Sequence, residues 1–236
     1  MMTKAIVFAT CAVEGLDLQL LPATFRALES QLGVSATMLG TFAMGQALFC
    51  AAAGPVWGAL ADRGSSRKTL IACGAVGWGT ATILLGLAYH WWVILLLRCL
   101  NGLALASLSP ICQSIVGDIT EKQERGVTFG VIQAMMFVGS GISSVLVTAV
   151  SEERYSIFGM EMWGWRLAFF FVGGLSMVLA VVIWIWMEEP PKIQGEDEKR
   201  EQEEKGGGGE DEEDLHAEEE AAVVLAETDP DVQRPP

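Results

Sequence analysis

Gly58-Ala-Leu-Ala-Asp62-Arg63-Gly-Ser-Ser-Arg67-Lys68 is a polar, turn-prone bridge between two long apolar runs. Residues 36 to 60 before it and residues 69 to 89 after it carry no charged side chain. A connection this short makes its flanking helices antiparallel neighbours. The bridge therefore predicts one helix entering an apolar phase, a tight polar turn, and a second helix returning.

Working outward, apolar residues make up 51% of the 236-residue chain, more than a soluble domain of this size needs, and point to a membrane protein. The formal charge of -14 comes from one end. Residues 188 to 236 hold 19 acidic and 5 basic side chains, which leaves residues 1 to 187 with 10 of each. Apolar runs long enough to cross a bilayer of ~30 Å as helices of about 20 residues occur at about 3 to 24, 36 to 58, 69 to 89, 92 to 114, 128 to 149 and 166 to 187. None alternates strictly, as barrel strands must. The fold class expected is an all-α membrane protein of six helices over 1 to 187, followed by a disordered acidic tail over 188 to 236 whose composition buries too little apolar surface to offset chain entropy. Within that tail, Leu215 to Ala226 is the one stretch apolar enough to form a short helix on a partner.

Lys and Arg in the short loops set the orientation. Lys4, Arg63, Arg67, Lys68, Lys122, Arg125 and Lys192 fall on one side and Arg26, Arg154 and Arg166 on the other, which predicts both termini in the cytoplasm. Trp91, Trp92, Trp163 and Trp165 are then expected in the outer belt and Trp57, Trp184 and Trp186 near the inner one, with Trp78 packed within a span. The apolar start of the chain is interrupted by Glu14 and Asp17 and reads as a retained span rather than a cleaved leader. Glycine and alanine crowd spans two, three and five, as in Ala51-Ala-Ala-Gly54-Pro55, Gly74-Ala-Val-Gly77-Trp-Gly79 and Gly139-Ser-Gly141, a signature of close helix packing in lipid.

Chemistry is concentrated in few places. Cys11, Cys50, Cys73, Cys99 and Cys112 lie in apolar runs without a CxxC pair or a neighbouring histidine, so no metal site is expected. His90 lies in a loop and His216 in the tail, which removes a membrane-depth base for a hydrolase. There is no Walker loop and no dinucleotide fingerprint, so neither an ATP motor nor a cofactor is expected, and nothing suggests nucleic-acid binding. Glu14 and Asp17 are different. Each carboxylate costs about 2.5 to 3.5 kcal/mol at the centre of a span, and at i and i+3 they share a helix face. They must point into the bundle or a watery cavity, either as a site that shares one proton and couples a proton or cation, or as a structural pair neutralised by one Arg. Arg98 is the basic residue deep in span four. Asp17 lies roughly 21 Å and Arg98 roughly 24 Å from the inner ends of their spans, at 1.5 Å per residue. Their depths match, which predicts an Asp17–Arg98 pair, direct or through water, with Glu14 closer to the cytoplasm.

With these residues in place, Gly58-x-Leu60-Ala61-Asp62-Arg63 followed by Arg67-Lys68 resembles the signature loop between helices two and three of the major facilitator superfamily, departing from it at Ser65 and Ser66. Arg98-Cys-Leu-Asn101-Gly102-Leu-Ala-Leu-Ala106 is similar to that family's fourth-helix motif, Arg125-Gly126 to its basic turn before helix five, and Gly164-Trp165-Arg166 to its entry into helix six. Leu21-Pro22-Ala23 and the acidic first helix resemble, loosely, the spinster-like and related organic-solute branches, whereas the fifth-helix Gly-Pro motif of many drug–proton antiporters is missing from 128 to 149. The resemblance implies a 3+3 inverted-repeat bundle and transport of a small organic solute by alternating access, with a proton or other cation as a partner. It implies a gating loop at Gly58, Leu60, Asp62, Arg63, Arg67 and Lys68, with Asp62 facing Arg125, and a coupling or substrate cavity at Glu14, Asp17, Arg98, Asn101 and Gly102. Such a transporter has about twelve spans in two halves. This sequence supplies six, so a second six-helix half or a second subunit is expected as a partner alongside the bilayer. The alternative is a half-sized membrane adaptor acting through its acidic tail.

Overall fold

The computed structural model describes residues 2–63, 65–157 and 159–188. The chain divides into two units, Met1–Pro190 and Pro191–Pro236, and the described residues all lie in the first. The expected disordered tail, with its Leu215 to Ala226 stretch, falls outside them.

Span one is α1 (Met2–Ala23), followed by a short helix, α2 (Phe25–Leu32). Span two is α3 (Ala36–Asp62) and span three α4 (Arg67–Gly86). Span four is built from α5 (Trp91–Leu105) and α6 (Leu108–Ile119), span five is α7 (Arg125–Ser151), and span six is α8 (Gly164–Trp186). All six are long and apolar enough to cross a bilayer. The two helices flanking the opening bridge are punctuated by serines: Ser35 Oγ accepts from the Met38 amide and Ser66 Oγ from the Thr69 amide, each at 3.3 Å, which satisfies donors left free at a helix start.

Three features depart from the expected outline. The segment after span one is a helix rather than a loop, closed by Gly33 in the left-handed region (φ 65°). The connection between spans five and six is an antiparallel hairpin of β1 (Arg154–Ile157) and β2 (Met160–Trp163). Span four breaks at Ala106 and Ser107. Pro110 explains the break, because its ring collides with the carbonyl four residues back, that of Ala106, and it has no amide to offer it. The chain tightens there, with Ser107 N donating to Ala104 O at 3.2 Å.

Helix pairing follows from the small residues. α1 packs along α7, α3 along α5, and α4 along α8. In span numbers these pairs are one with five, two with four, and three with six. Exchanging the first three spans for the last three maps the first two pairs onto each other and the third onto itself, as a 3+3 repeat requires. At the α1–α7 contact the backbones touch: a Cβ on Gly139 would strike the Ala12 carbonyl and one on Gly15 the Met136 carbonyl. In lipid, where apolar surface gains nothing by leaving its surroundings, this approach and the dispersion contacts it permits hold the helices together.

Burial is uneven. In spans two and five only 17% of the residues of the apolar stretch are buried, against 44% to 56% in the other four. Met44, Leu48 and Val56 of α3 and Phe137, Val145 and Leu146 of α7 are exposed. Trp78 is fully buried. Trp165, expected in an interfacial belt, is 1% exposed and donates Nε1 to Gln31 Oε1 at 2.8 Å, so it anchors α2 to the bundle instead.

Replacing Gly139 by Val should lower stability by about 1 to 3 kcal/mol or more through overpacking, read as an earlier thermal unfolding midpoint in detergent. Gly174, which has no atom within 4 Å of the Cβ position, should accept Ala with an unchanged or later midpoint.

Candidate functional site

Two charged constellations lie at different heights in the bundle. The first sits at the signature loop. Arg67, at the first turn of α4, reaches across to Asp118 near the end of α6, with Nη1 to Oδ2 at 2.5 Å and side-chain exposures of 6% and 1%. A carboxylate and a guanidinium at this burial must be paired, since losing one partner strands the other without solvent. Asp62 and Arg63 are exposed, Lys68 is half-buried, and Leu60 is 37% exposed. Gly58 has nothing within 4 Å of its Cβ position. Arg125 Nε donates to the Thr120 carbonyl at 3.3 Å, which ties the start of α7 to the end of α6. Arg67 thus stands out from the motif as the residue buried in an ion pair, and the partner it uses, Asp118, is one the sequence reading did not single out.

The second constellation lies within the spans. Asp17 of α1 and Arg98 of α5 are both fully buried, with Oδ2 and Nη1 3.9 Å apart. They are joined the other way round by neutral side chains. Arg98 Nη1 donates to Gln46 Oε1 at 3.2 Å, Gln46 Nε2 to Asn101 Oδ1 at 2.9 Å, Asn101 Nδ2 to Thr82 Oγ1 at 3.0 Å, and Thr82 Oγ1 to Asp17 Oδ1 at 2.7 Å. The result is a closed ring of five side chains drawn from spans one to four. Every bond in it points the same way, from cation to anion, so each dipole polarises the next. Asp17, Thr82, Arg98 and Asn101 have no exposed surface, and only Gln46 is part-exposed.

The ring leaves three buried atoms without a hydrogen-bond partner among the described residues: Asp17 Oδ2, Arg98 Nε and Arg98 Nη2. The Arg98 guanidinium also lies 5.7 Å from the centre of the Phe169 ring of α8, a favourable placement for a desolvated cation. Gly102, one helical turn beyond Arg98, has the Gln46 carbonyl where a Cβ would sit. It lets α3 come close enough for Gln46 to reach the charges. Glu14 is half-buried one turn from Asp17, and none of the salt bridges among the described residues includes it. No group of three potential metal ligands is found among the described residues.

The structure therefore brings Asp17, Arg98 and Asn101 together and sets Gly102 behind them as a spacer. Gln46 and Thr82 complete the ring. The signal for both was available as lone polar side chains in apolar runs, yet their common height with Arg98 is a property of the packed bundle. At the hairpin end a separate cavity of about 610 Å³ is lined by groups including Gln31, Glu161, Trp163 and Arg166. There Arg166 donates to the carbonyls of Gly86 at 2.5 Å and Ala88 at 3.3 Å, satisfying acceptors left open at the end of α4.

Comparison with known proteins gives a consistent picture. The family model described as Major Facilitator Superfamily matches residues 7–227. The sphingosine-1-phosphate transporter SPNS2 of Danio rerio is 29% identical over 142 residues, covering 59% of this chain and 26% of that protein. The probable transporter AQR1 of Saccharomyces cerevisiae is 31% identical over 147 residues, covering 62% of this chain and 23% of that protein. The crystal structure of a bacterial homolog of the human lysosomal transporter spinster superposes with a TM-score of 0.68 at 21% identity, covering 80% of this chain and 44% of that one. The chain thus matches less than half the length of each.

Replacing Asp118 by Ala should destabilise the bundle by about 3 to 5 kcal/mol, the cost of a stranded buried charge. The double replacement Arg67→Met with Asp118→Leu should recover much of that loss, as read by comparing the unfolding free energies of the two variants with that of the parent.

Proposed function

This chain belongs to the Major Facilitator Superfamily, and we propose that it forms the first six-helix half of a transporter that moves a small organic solute by alternating access, with both termini in the cytoplasm. The observation that carries the reading is the buried Asp17–Arg98 pair, held inside a bundle that leaves two of its six spans uncovered. Charge at membrane depth is retained where it serves an ion or solute path, and a pair ringed by neutral dipoles has the means to take up a proton or cation and release it.

The second half is proposed on the same grounds. α3 and α7 expose apolar side chains, and their glycines at 40, 54, 58, 126, 130 and 141 have nothing near their Cβ positions. Small residues facing outward on two spans suit close approach by further helices, and the matched relatives are two to four times longer than the stretch they share with this chain. A second six-helix body seated on α3 and α7 would enclose a solute cavity beside the ring, with Glu14 near its wall. The loop from Gly58 to Lys68, braced by Arg67 on Asp118, would then act as the gate, with exposed Asp62 turned to the other body. Being named transporters, the matched relatives support transport, and the solute class is proposed no more finely than a small organic molecule.

Proton flux tests the coupling role. In vesicles holding the full-length protein and a trapped pH dye, pulses from a panel of organic solutes should drive proton movement that Asp17→Asn abolishes. Undiminished solute-coupled proton movement in that variant would remove Asp17 from coupling.

A further inference from the structure

Arg98 Nη1 faces two acceptors at once, the neutral amide oxygen of Gln46 at 3.2 Å and the carboxylate oxygen Oδ2 of Asp17 at 3.9 Å. Charge alone would draw it to the carboxylate, since charge-assisted hydrogen bonds are about twice as strong as neutral ones. Packing decides otherwise. Gly102, on the same face of α5 as Arg98, brings the α3 backbone into contact, and the side chain of Gln46 arrives within reach of the guanidinium. Its orientation is dictated as well: Nε2 must donate to Asn101 Oδ1, so Oε1 is the atom turned toward Arg98.

We propose that Gln46 is a positioning residue that holds Arg98 off Asp17 and so keeps Oδ2 of that carboxylate open to a proton. This rests on the coupling reading above and adds to it a named atom and a residue that sets how readily the atom is protonated. Oδ1 is occupied by the Thr82 hydroxyl, which leaves Oδ2 as the oxygen that receives the proton. When Asp17 is protonated, Arg98 keeps the Gln46 hydrogen bond and the face of the Phe169 ring. The other ionisable groups around the pair are few. Glu14 lies one turn away on α1, and the thiols near Glu14 are those of Cys11 on α1, Cys50 on α3 and Cys112 on α6. α4 presents Thr82 and α8 the ring of Phe169. α7 has no ionisable side chain between Arg125 and Ser151. Gln46 is also the ring member on an uncovered span, so a shift of α3 against α5 would release Arg98 toward Asp17 and close the site.

The test is an infrared pH titration of the full-length protein in lipid nanodiscs, following the carboxylic C=O band that Asp17→Asn removes, with hydronium as the only ligand. Gln46→Leu takes away the competing acceptor, lets Arg98 close on Asp17, and should move the midpoint of that band to lower pH by about one unit, a tenfold loss of proton affinity. Gln46→Glu draws Arg98 away and adds a like charge, and should move it to higher pH by a similar amount. Where Gln46→Leu does not fold, Gln46→Met is read in its place. Unmoved midpoints overturn the proposal, and so do shifts of the same sign in both variants, which mark general loosening. Opposite shifts together with solute-coupled proton flux that survives Asp17→Asn would uphold the effect of Gln46 on Asp17 and overturn the coupling role of Asp17 instead.

Discussion

A fully buried guanidinium and a fully buried carboxylate 3.9 Å apart are the constraint around which this bundle is arranged. Desolvating each ion costs several kcal/mol, and attraction at that separation does not by itself offset it. The remainder comes from Thr82, Asn101 and Gln46, which deliver aligned dipoles from three further positions. For those groups to meet, spans one to four must lie at fixed heights and close distances. The ring thus acts as a register for four helices, and it explains why polar residues stand at single positions in otherwise apolar runs.

Glycine supplies the distances. Gly102 brings span two to span four, and Gly15 with Gly139 brings span one to span five. At each of these contacts a carbonyl of the partner helix occupies the space of a Cβ, so a larger residue would push the helices apart, and at Gly102 it would lengthen both bonds that Gln46 makes in the ring. Packing and electrostatics are therefore coupled: the charges tolerate burial because the helices are close, and the helices are close because these positions lack side chains. The break at Pro110 separates this half of span four from α6, where Asp118 holds Arg67 and with it the signature loop.

Much of this was legible in the residues. Run lengths located the six spans within a few positions, because a bilayer admits only helices of about 20 residues and sequence length translates directly into thickness. The common depth of Asp17 and Arg98 was legible for the same reason, as rise per residue is constant along a helix. Resemblance to the major facilitator superfamily followed from the spacing between Gly58 and Lys68. By contrast, the hairpin from Arg154 to Trp163 and the burial of Trp165 were not read, since short strands and indole placement depend on what lies across from them.

The sequence by itself determined that six helices cross, that the crossing is antiparallel at the bridge, and which two charges share a level. It did so because these are properties of one chain segment against a uniform solvent. Tertiary structure alone decided that Gln46 and Thr82 join those charges, that Arg67 finds Asp118, and that spans two and five are left uncovered. Each of these depends on the rotation of a helix about its own axis, and rotation is set by contacts between side chains far apart in the chain. No local pattern encodes it where small and apolar residues surround the whole helix.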